Sequence, residues 1–245
     1  MLLPSQTLRE QASRVNYHGD TLVGMQKETF TLAGLFGREK LPSLLGAFAL
    51  LGVAYVVEHF ANVYAFDYSL RPTSNYVGDL ILDNIPAVDL NFIIVEVAFV
   101  AIILGIFFVL SKPRHVLFTL KALALFIIIR ALFISLTHVG FHPEAIDPGL
   151  GFFDSMYLYL NFQTGLFFSG HTGLPFLMAL IFWENRRARY VLLSLSFVFA
   201  VAVLLAHIHY SIDVFAAPFM VFGIYHIAKR LFPKDYTLIE SVPKT

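Results

Sequence analysis

The chain of 245 residues contains no cysteine, and only 14% of its residues are charged. The absence of cysteine excludes disulfide frameworks, thiolate metal sites and thiol nucleophiles. Soluble domains usually have roughly 25% charged residues, so a chain with this composition would not stay soluble as a monomer. The 17 basic and 17 acidic residues cancel. This balance disfavours nucleic-acid binding and makes any electrostatic function depend on where the charges lie.

Apolar residues make up 58% of the chain, and many of them stand in long runs. Runs of about 20 apolar residues match the thickness of a bilayer core. The sequence therefore predicts an all-α, polytopic membrane protein with six transmembrane helices. The fourth predicted helix is short, about 21 Å if helical, so either Phe167 and Phe168 extend it or its end lies below the membrane surface. The six predicted spans are Leu41 to Phe60, Phe92 to Leu110, Val116 to Leu136, Gly170 to Trp183, Tyr190 to Ala206 and Val214 to Phe232.

Lysine and arginine are distributed unequally between the two sides of these spans. Fourteen of these residues lie on one side: before the first span, after the last span, or in the gaps between spans on that same side. Arg71 alone lies on the other side. Since basic residues are retained in the cytoplasm, both termini are predicted to be cytoplasmic. The predicted domains are a cytoplasmic arm (1–40), a six-helix transmembrane domain (41–232) and a cytoplasmic tail (233–245). A bacterial inner membrane is favoured, with the Golgi or plasma membrane as eukaryotic equivalents.

The first segment with a defined polar arrangement begins the fourth predicted span and reads Phe168-Ser169-Gly170-His171-Thr172. Ser169 is a good N-cap, Gly170 permits close backbone approach, and the N–H groups of a first helical turn can bind an anion. An ordinary capping serine beside an incidental histidine would give the same short pattern.

The second segment, residues 206–213, reads Ala-His-Ile-His-Tyr-Ser-Ile-Asp and links the last two predicted spans on the same side. His209 and Asp213 are four residues apart, which brings an imidazole and a carboxylate together on a helix or tight turn. The carboxylate can fix the ring tautomer and leave the other nitrogen for chemistry. An aspartate favoured by the helix dipole beside a solvated histidine is the alternative.

Two cations lie inside the third predicted span, Lys121 and Arg130. An arginine within a span costs roughly 2.5 to 3.5 kcal/mol, so it normally has a partner or a function. Lys121 can extend to the cytoplasmic surface. Arg130 lies at the level of His171 and His209, and a guanidinium is suited to bidentate phosphate binding. Extension of Arg130 to the opposite surface is the alternative.

Together the two segments resemble the paired motifs of the sphingomyelin synthases, a branch of the type 2 phosphatidic-acid phosphatase superfamily. The second motif of that family similarly reads Ala-His-x-His-Tyr-Thr-x-Asp. Arg130 followed by residues 132–137 resembles the arginine-led motif of the family. The likeness extends over all six spans, with the same motif order, spacing and membrane side.

The resemblance implies a metal-independent and cofactor-independent lipid phosphotransferase whose active site faces the periplasm, the exterior or a lumen. In it, His209 attacks the phosphorus of a phospholipid, Asp213 supports His209, and His171 protonates the departing alcohol. Arg130 and the N–H groups near Ser169 and Gly170 hold the phosphate. The implied partners are a phospholipid donor, a lipid alcohol acceptor such as ceramide, and the bilayer.

Departures from the superfamily's phosphatases indicate which reaction to expect. Those phosphatases carry Lys-x6-Arg-Pro, but Tyr64 takes the place of the lysine, and Ala202 and Val203 replace an expected Ser-Arg. With two basic phosphate ligands missing, one arginine can balance a phosphodiester but not a phosphomonoester dianion. This favours a headgroup transferase, with a lipid phosphate phosphatase as the alternative. Ile208, where sphingomyelin synthases often carry an acidic residue, leaves the choline headgroup open.

Two other interpretations of these residues remain open at this stage. The His138/His142 and His207/His209 pairs could be ligands of a metal enzyme. Gly140 and Pro143 disrupt the helical i, i+4 face that the first pair would need, and residues two apart on a helix, like the second pair, point in different directions. A lipid-binding or scaffold protein that keeps the motifs without activity is the second interpretation.

Overall fold

A computed structural model describes residues 31–69, 71, 76–137, 139–146 and 166–240. These ranges form seven α-helices and contain no strand. A 3-10 turn, Leu82–Asn84, lies between the first two helices, and a π-helical turn, Ile93–Val97, leads directly into the second. The helices are α1 (Leu41–Ser69), α2 (Ala98–Ser111), α3 (Pro113–Leu136), α4 (Gly170–Ile181), α5 (Arg186–Leu205), α6 (Ser211–Leu231) and α7 (Pro233–Glu240).

Five stretches of the described chain are long and apolar enough to cross a membrane: α1, the π-helical turn with α2, α3, α5 and α6. This supports the predicted integral membrane protein. Helix α4 has only 12 residues, Gly170–Ile181, after its Ser169 cap, and it ends two residues before the predicted limit at Trp183. The sixth span therefore stays a prediction. Helix α1 continues nine residues beyond the predicted end at Phe60, since no glycine or proline interrupts it before Ser69.

The helix order places two groups of helix ends at opposite ends of the bundle. Helices α4 and α6 both begin at one end, called here the motif end because it holds Ser169 and His209. Helices α1 and α3 begin at the other end, where α6 finishes and α7 follows it; this is called the tail end. Helix α7 packs against α3, so this part of the predicted tail is folded onto the bundle.

Close packing of α3, α4 and α6 fixes the position of the motif end. A Cβ atom added at Gly173 would lie only 3.1 Å from side-chain atoms of Phe126 and Val221, so glycine permits this approach. A second apolar contact joins the π-helical turn to α5 and α6 through Ile94, Val203 and neighbouring buried residues. Large apolar side chains elsewhere face outward, as expected of a lipid-facing surface. Examples are Phe107, Phe197 and Phe219.

Candidate active site

The structure brings the two predicted motifs into direct contact. The backbone N–H of Ser169 donates to the carbonyl of Asp213 over 2.9 Å, joining the start of α4 to the first turn of α6. The Ser169 Oγ accepts from the N–H of Thr172 over 3.3 Å, which makes Ser169 the N-cap of α4. Ser169 and Asp213, 44 positions apart in the sequence, therefore share one site.

The predicted imidazole-carboxylate pair is present at the start of α6. His209 Nδ1 lies 3.3 Å from Asp213 Oδ2, and both side chains are buried. The same carboxylate oxygen accepts the backbone N–H of Tyr210 over 3.1 Å, which caps the helix. Because Nδ1 faces the carboxylate, Nε2 is the nitrogen left for chemistry with a ligand.

His171 lies in the first turn of α4, close to this pair. Its ring centroid is 6.4 Å from that of His209, and the ring is half-buried. The ring also hydrogen-bonds the backbone carbonyl of Ile94 in the π-helical turn. Such turns interrupt regular helices and are frequent at functional sites. A ligand between the two imidazoles could meet a nucleophile on one side and an acid or base on the other.

Arg130 reaches the motif end, but the structure also gives it a protein partner that the sequence analysis missed. Its Nη1 lies 2.6 Å from Glu58 Oε1, which is on α1. Another edge of Arg130 lies close to the first residue of α4, since a Cβ atom added at Gly170 would meet Arg130 Nε at 3.4 Å. The signal for Glu58 was available: an acidic residue within a span is a candidate partner for an intramembrane cation.

The structure gives Ser169 and Lys121 partners within the protein. The N–H of Ser169 donates to the carbonyl of Asp213, so an anion at the start of α4 would have to meet other N–H groups of the first helical turn. Lys121 does not extend to the surface, since its Nζ lies 2.6 Å from Asp235 Oδ2 and 2.8 Å from Ser43 Oγ at the tail end.

Each motif has a residue with a positive φ angle near its start. Phe168, directly before Ser169, has φ 26°, and His207, two residues before His209, has φ 56°. Phe168 is fully buried and packs against Phe126 and Phe133, which holds it in place. Non-glycine residues in this region of the backbone cost energy and tend to occur at functional sites.

His142 and His207 form a separate group beside the site. Their ring centroids are 4.8 Å apart, His142 Nε2 lies 3.3 Å from Asp83 Oδ1, and His207 Nδ1 lies 3.9 Å from Glu144 Oε2. Burial, followed by the repulsion of His142, lowers the pKa of His207. His207 and His209 thus have different partners and do not act as one chelating pair. Within the described ranges no three histidine or acidic side chains are grouped as metal ligands, and His138 lies outside those ranges.

Comparison with known proteins gives one family match, and it covers both motifs. Neither a curated protein nor a solved structure matches the sequence. The matched residues, 164–230, include Ser169, His171, His209 and Asp213 and most of α4, α5 and α6. The family model they match is that of the PAP2 superfamily C-terminal family, and this match supports placing the protein in the PAP2 superfamily.

Proposed function

We propose that this protein is an integral-membrane phospholipid headgroup transferase of the sphingomyelin synthase type. It moves a phosphodiester headgroup from a phospholipid to a ceramide-type lipid alcohol. The observation that carries the proposal is the buried His209–Asp213 pair, which faces His171 at the start of α4. Nδ1 of His209 lies 3.3 Å from Oδ2 of Asp213. A nucleophile, its orienting carboxylate and a second imidazole are the groups that a two-step transfer requires.

In the first step, His209 Nε2 attacks the phosphorus of the donor lipid. A nitrogen–phosphorus bond forms, and the bond from phosphorus to the glycerol oxygen breaks. His171 gives its proton to that oxygen, so diacylglycerol leaves as a neutral alcohol. Asp213 Oδ2 stabilises the positive charge that develops on the His209 ring.

In the second step, the acceptor alcohol takes the place of diacylglycerol. His171, now neutral, removes the hydroxyl proton while the alcohol oxygen attacks phosphorus. The nitrogen–phosphorus bond breaks, His209 is regenerated, and His171 is protonated again for the next cycle. Each proton and bond is accounted for by the two histidines, so the scheme needs no metal or cofactor.

The charges around the site support a singly charged phosphodiester as substrate. Arg130 supplies one positive charge, and Glu58 at 2.6 Å offsets part of it, so the site can balance at most one negative charge on the substrate. Val203, at one position where phosphatases of the superfamily carry a basic residue, is fully buried in an apolar cluster with Ile94 and Val214. The phosphate contacts assigned here are Arg130 and the N–H groups of Gly170 and His171, while Ser169 is the cap. A second negative charge on the substrate would have little to balance it.

Hydrolysis of a lipid phosphomonoester is the second candidate. The superfamily match is as compatible with hydrolysis as it is with headgroup transfer. Water would then replace the acceptor alcohol. An assay of purified protein with phosphatidylcholine or phosphatidylethanolamine plus ceramide, and separately with phosphatidic acid, distinguishes the two. Faster cleavage of phosphatidic acid than of any phosphodiester lipid would contradict the transferase proposal. Mass spectrometry of lipids from cells with and without the gene would then identify the headgroup and acceptor.

A further inference from the structure

One acidic side chain outside the motifs, Asp79, is bound to the segment that follows His209. Asp79 lies in the connection between α1 and the π-helical turn, and it is 6% exposed. Its Oδ2 accepts the N–H of Ser211, the first residue of α6, over 2.6 Å. Its Oδ1 accepts two N–H groups of its own connection, from Ile81 over 2.9 Å and Leu82 over 3.2 Å. One carboxylate therefore ties this connection to the start of α6.

The same connection also holds the residue between His209 and Ser211. The Tyr210 hydroxyl accepts the N–H of Val77 over 3.1 Å and donates to the carbonyl of Gly140 over 2.9 Å. Tyr210 and Ser211, the two residues directly after His209, are thus both bound to residues 77–79. The Ser211 contact is made by its backbone and the Tyr210 contacts by its side chain, so together they fix the chain directly after the nucleophile.

The Asp79 contacts match what a buried carboxylate needs. Burial by itself would raise the pKa of Asp79, but the N–H groups of Ser211, Ile81 and Leu82 together lower it below its usual value. An ionised carboxylate next to the first residue of a helix also interacts favourably with the helix dipole. The backbone N–H of Asp79 donates to Asp83 Oδ2 over 2.8 Å, which fixes the Asp79 backbone in turn.

From this arrangement we infer that Asp79 is a positioning residue for the proposed nucleophile, holding the backbone of residues 209–211 so that His209 meets both Asp213 and the substrate phosphorus. The inference rests on the proposed function. The backbone of residues 209–211 carries the His209 ring, so a shift of this backbone also moves the ring relative to Asp213, which lies 3.3 Å away. A misplacement of about 1 Å can cost roughly 100-fold in rate. Asp79 itself touches neither reacting group.

The test compares two carboxylates of the same connection. Asp79→Ala removes all three acceptor contacts, and Asp79→Asn keeps one acceptor oxygen, which cannot serve both Ser211 and the Ile81–Leu82 pair. Asp89→Ala is the matched control, since Asp89 is exposed. Within the described part of the chain, its Oδ1 accepts a single hydrogen bond, from the N–H of Asn91 over 3.0 Å. Each variant is measured by amide hydrogen exchange of residues 209–215 and by steady-state transfer from phosphatidylcholine and phosphatidylethanolamine to ceramide.

We expect Asp79→Ala to speed amide exchange of residues 209–213 at least about tenfold and to lower kcat roughly 10- to 100-fold, with KM changed less than about twofold. Asp79→Asn falls between this variant and the wild type, and Asp89→Ala matches the wild type in both measurements. Unchanged exchange in Asp79→Ala would overturn the inference. Faster exchange with normal kcat, or a loss confined to KM, would overturn it as well.

The two arms also separate this inference from the proposed function. If the wild-type protein transfers no headgroup from either donor, the proposed function fails while the exchange measurement still decides whether Asp79 fixes residues 209–213. If Asp79→Ala does not fold, the milder Asp79→Asn supplies both readouts.

Discussion

Helix α3 carries two intramembrane cations nine residues apart, and their surroundings differ. At the tail end, Lys121 Nζ binds Asp235 Oδ2 and Ser43 Oγ, and Ser43 donates to the other oxygen of Asp235 over 3.0 Å. At the motif end, Arg130 binds Glu58 through Oε1. Glu58 Oε2 is buried without a hydrogen-bond partner among the residues that the structure describes.

The difference follows from the chemistry of the two cations. An ammonium is a compact charge, and at the tail end it joins α1, α3 and α7 in a closed cluster. A guanidinium presents donors on several edges, so Arg130 can bind Glu58 on one edge while another lies against Gly170 at the start of α4. We interpret the first pair as structural and the second as part of the site.

Replacement of His209 should have the largest effect of all these variants. The effect should be on turnover at the motif end and not on stability. His209→Ala and His171→Ala are each expected to lower turnover roughly 10,000-fold or more, because each removes an obligatory bond-forming or proton-transfer group. Thermal unfolding in detergent should change little. Asp213→Asn should be nearly as severe.

His226→Ala is the control for these variants, since His226 is exposed near the tail end. Among the described residues, its hydrogen bond is to a carbonyl of its own helix. Its turnover should stay close to that of the wild type. Near-normal turnover in His209→Ala would exclude a phosphohistidine intermediate at this position.

Replacement of Asp235 should have the opposite profile, with a loss of stability and little loss of chemistry. Asp235→Ala leaves the Lys121 ammonium, whose side chain is 14% exposed, without its carboxylate; breaking a buried ion pair in this way typically costs roughly 3 to 5 kcal/mol. Thermal unfolding should begin at clearly lower temperature, while turnover below that temperature stays within about twofold of the wild type. The double variant Lys121→Met/Asp235→Leu should recover most of the stability. A large loss of turnover in this folded double variant would contradict the structural role.

Exchange of the two cation types tests whether the guanidinium fork matters at the motif end. Arg130→Lys preserves the charge but loses the planar fork, so kcat/KM should fall roughly 10- to 100-fold. Lys121→Arg is the mirror change at the tail end and should leave kcat/KM within about twofold. Equal effects from the two exchanges would remove the functional distinction between the pairs.

Protonation of His207 should make the motif end sensitive to acid. Its folded-state pKa is lowered, by burial and then by His142, while Glu144 and Asp79 act in the opposite direction. The unfolded chain therefore binds more protons, and the stability is fully present above pH 6.5, the ordinary histidine value, and falls as the pH drops toward the folded-state pKa. His207→Asn, which tolerates the positive φ angle, should reduce this loss. We expect a difference of about 2 °C or less in thermal unfolding at pH about 5.5, and none at pH about 8.

A measurement of membrane sidedness tests whether the two ends lie at opposite surfaces, and it requires no substitution in the site. The positive charges predict that the tail end, with both termini, is cytoplasmic and that the motif end faces away from the cytoplasm. A C-terminal tag should therefore be protected from protease in intact cells and cleaved after permeabilisation. Cleavage in intact cells would reverse the assignment.

Patterns local in the sequence were enough to predict much of this architecture. Apolar runs predict the five long helices because a bilayer sets their length and the backbone must bond internally. The Ser169 cap and the His209–Asp213 spacing predict local geometry because each involves residues within four positions of one another. The match over residues 164–230 likewise supports the resemblance of the two segments to the PAP2 superfamily, while the sphingomyelin synthase branch stays a prediction.

Contacts between distant residues were decided by the tertiary structure alone. Glu58 meets Arg130 across 72 positions, Lys121 meets Asp235 across 114, and Asp79 meets Ser211 across 132. No local pattern specifies these pairs, because which helix faces lie together depends on how all the helices pack. The sequence determined that two cations and a set of carboxylates lie within or beside the membrane. Packing decided that one pair closes the tail end, that another stands at the site, and that a carboxylate outside the motifs holds the chain at His209.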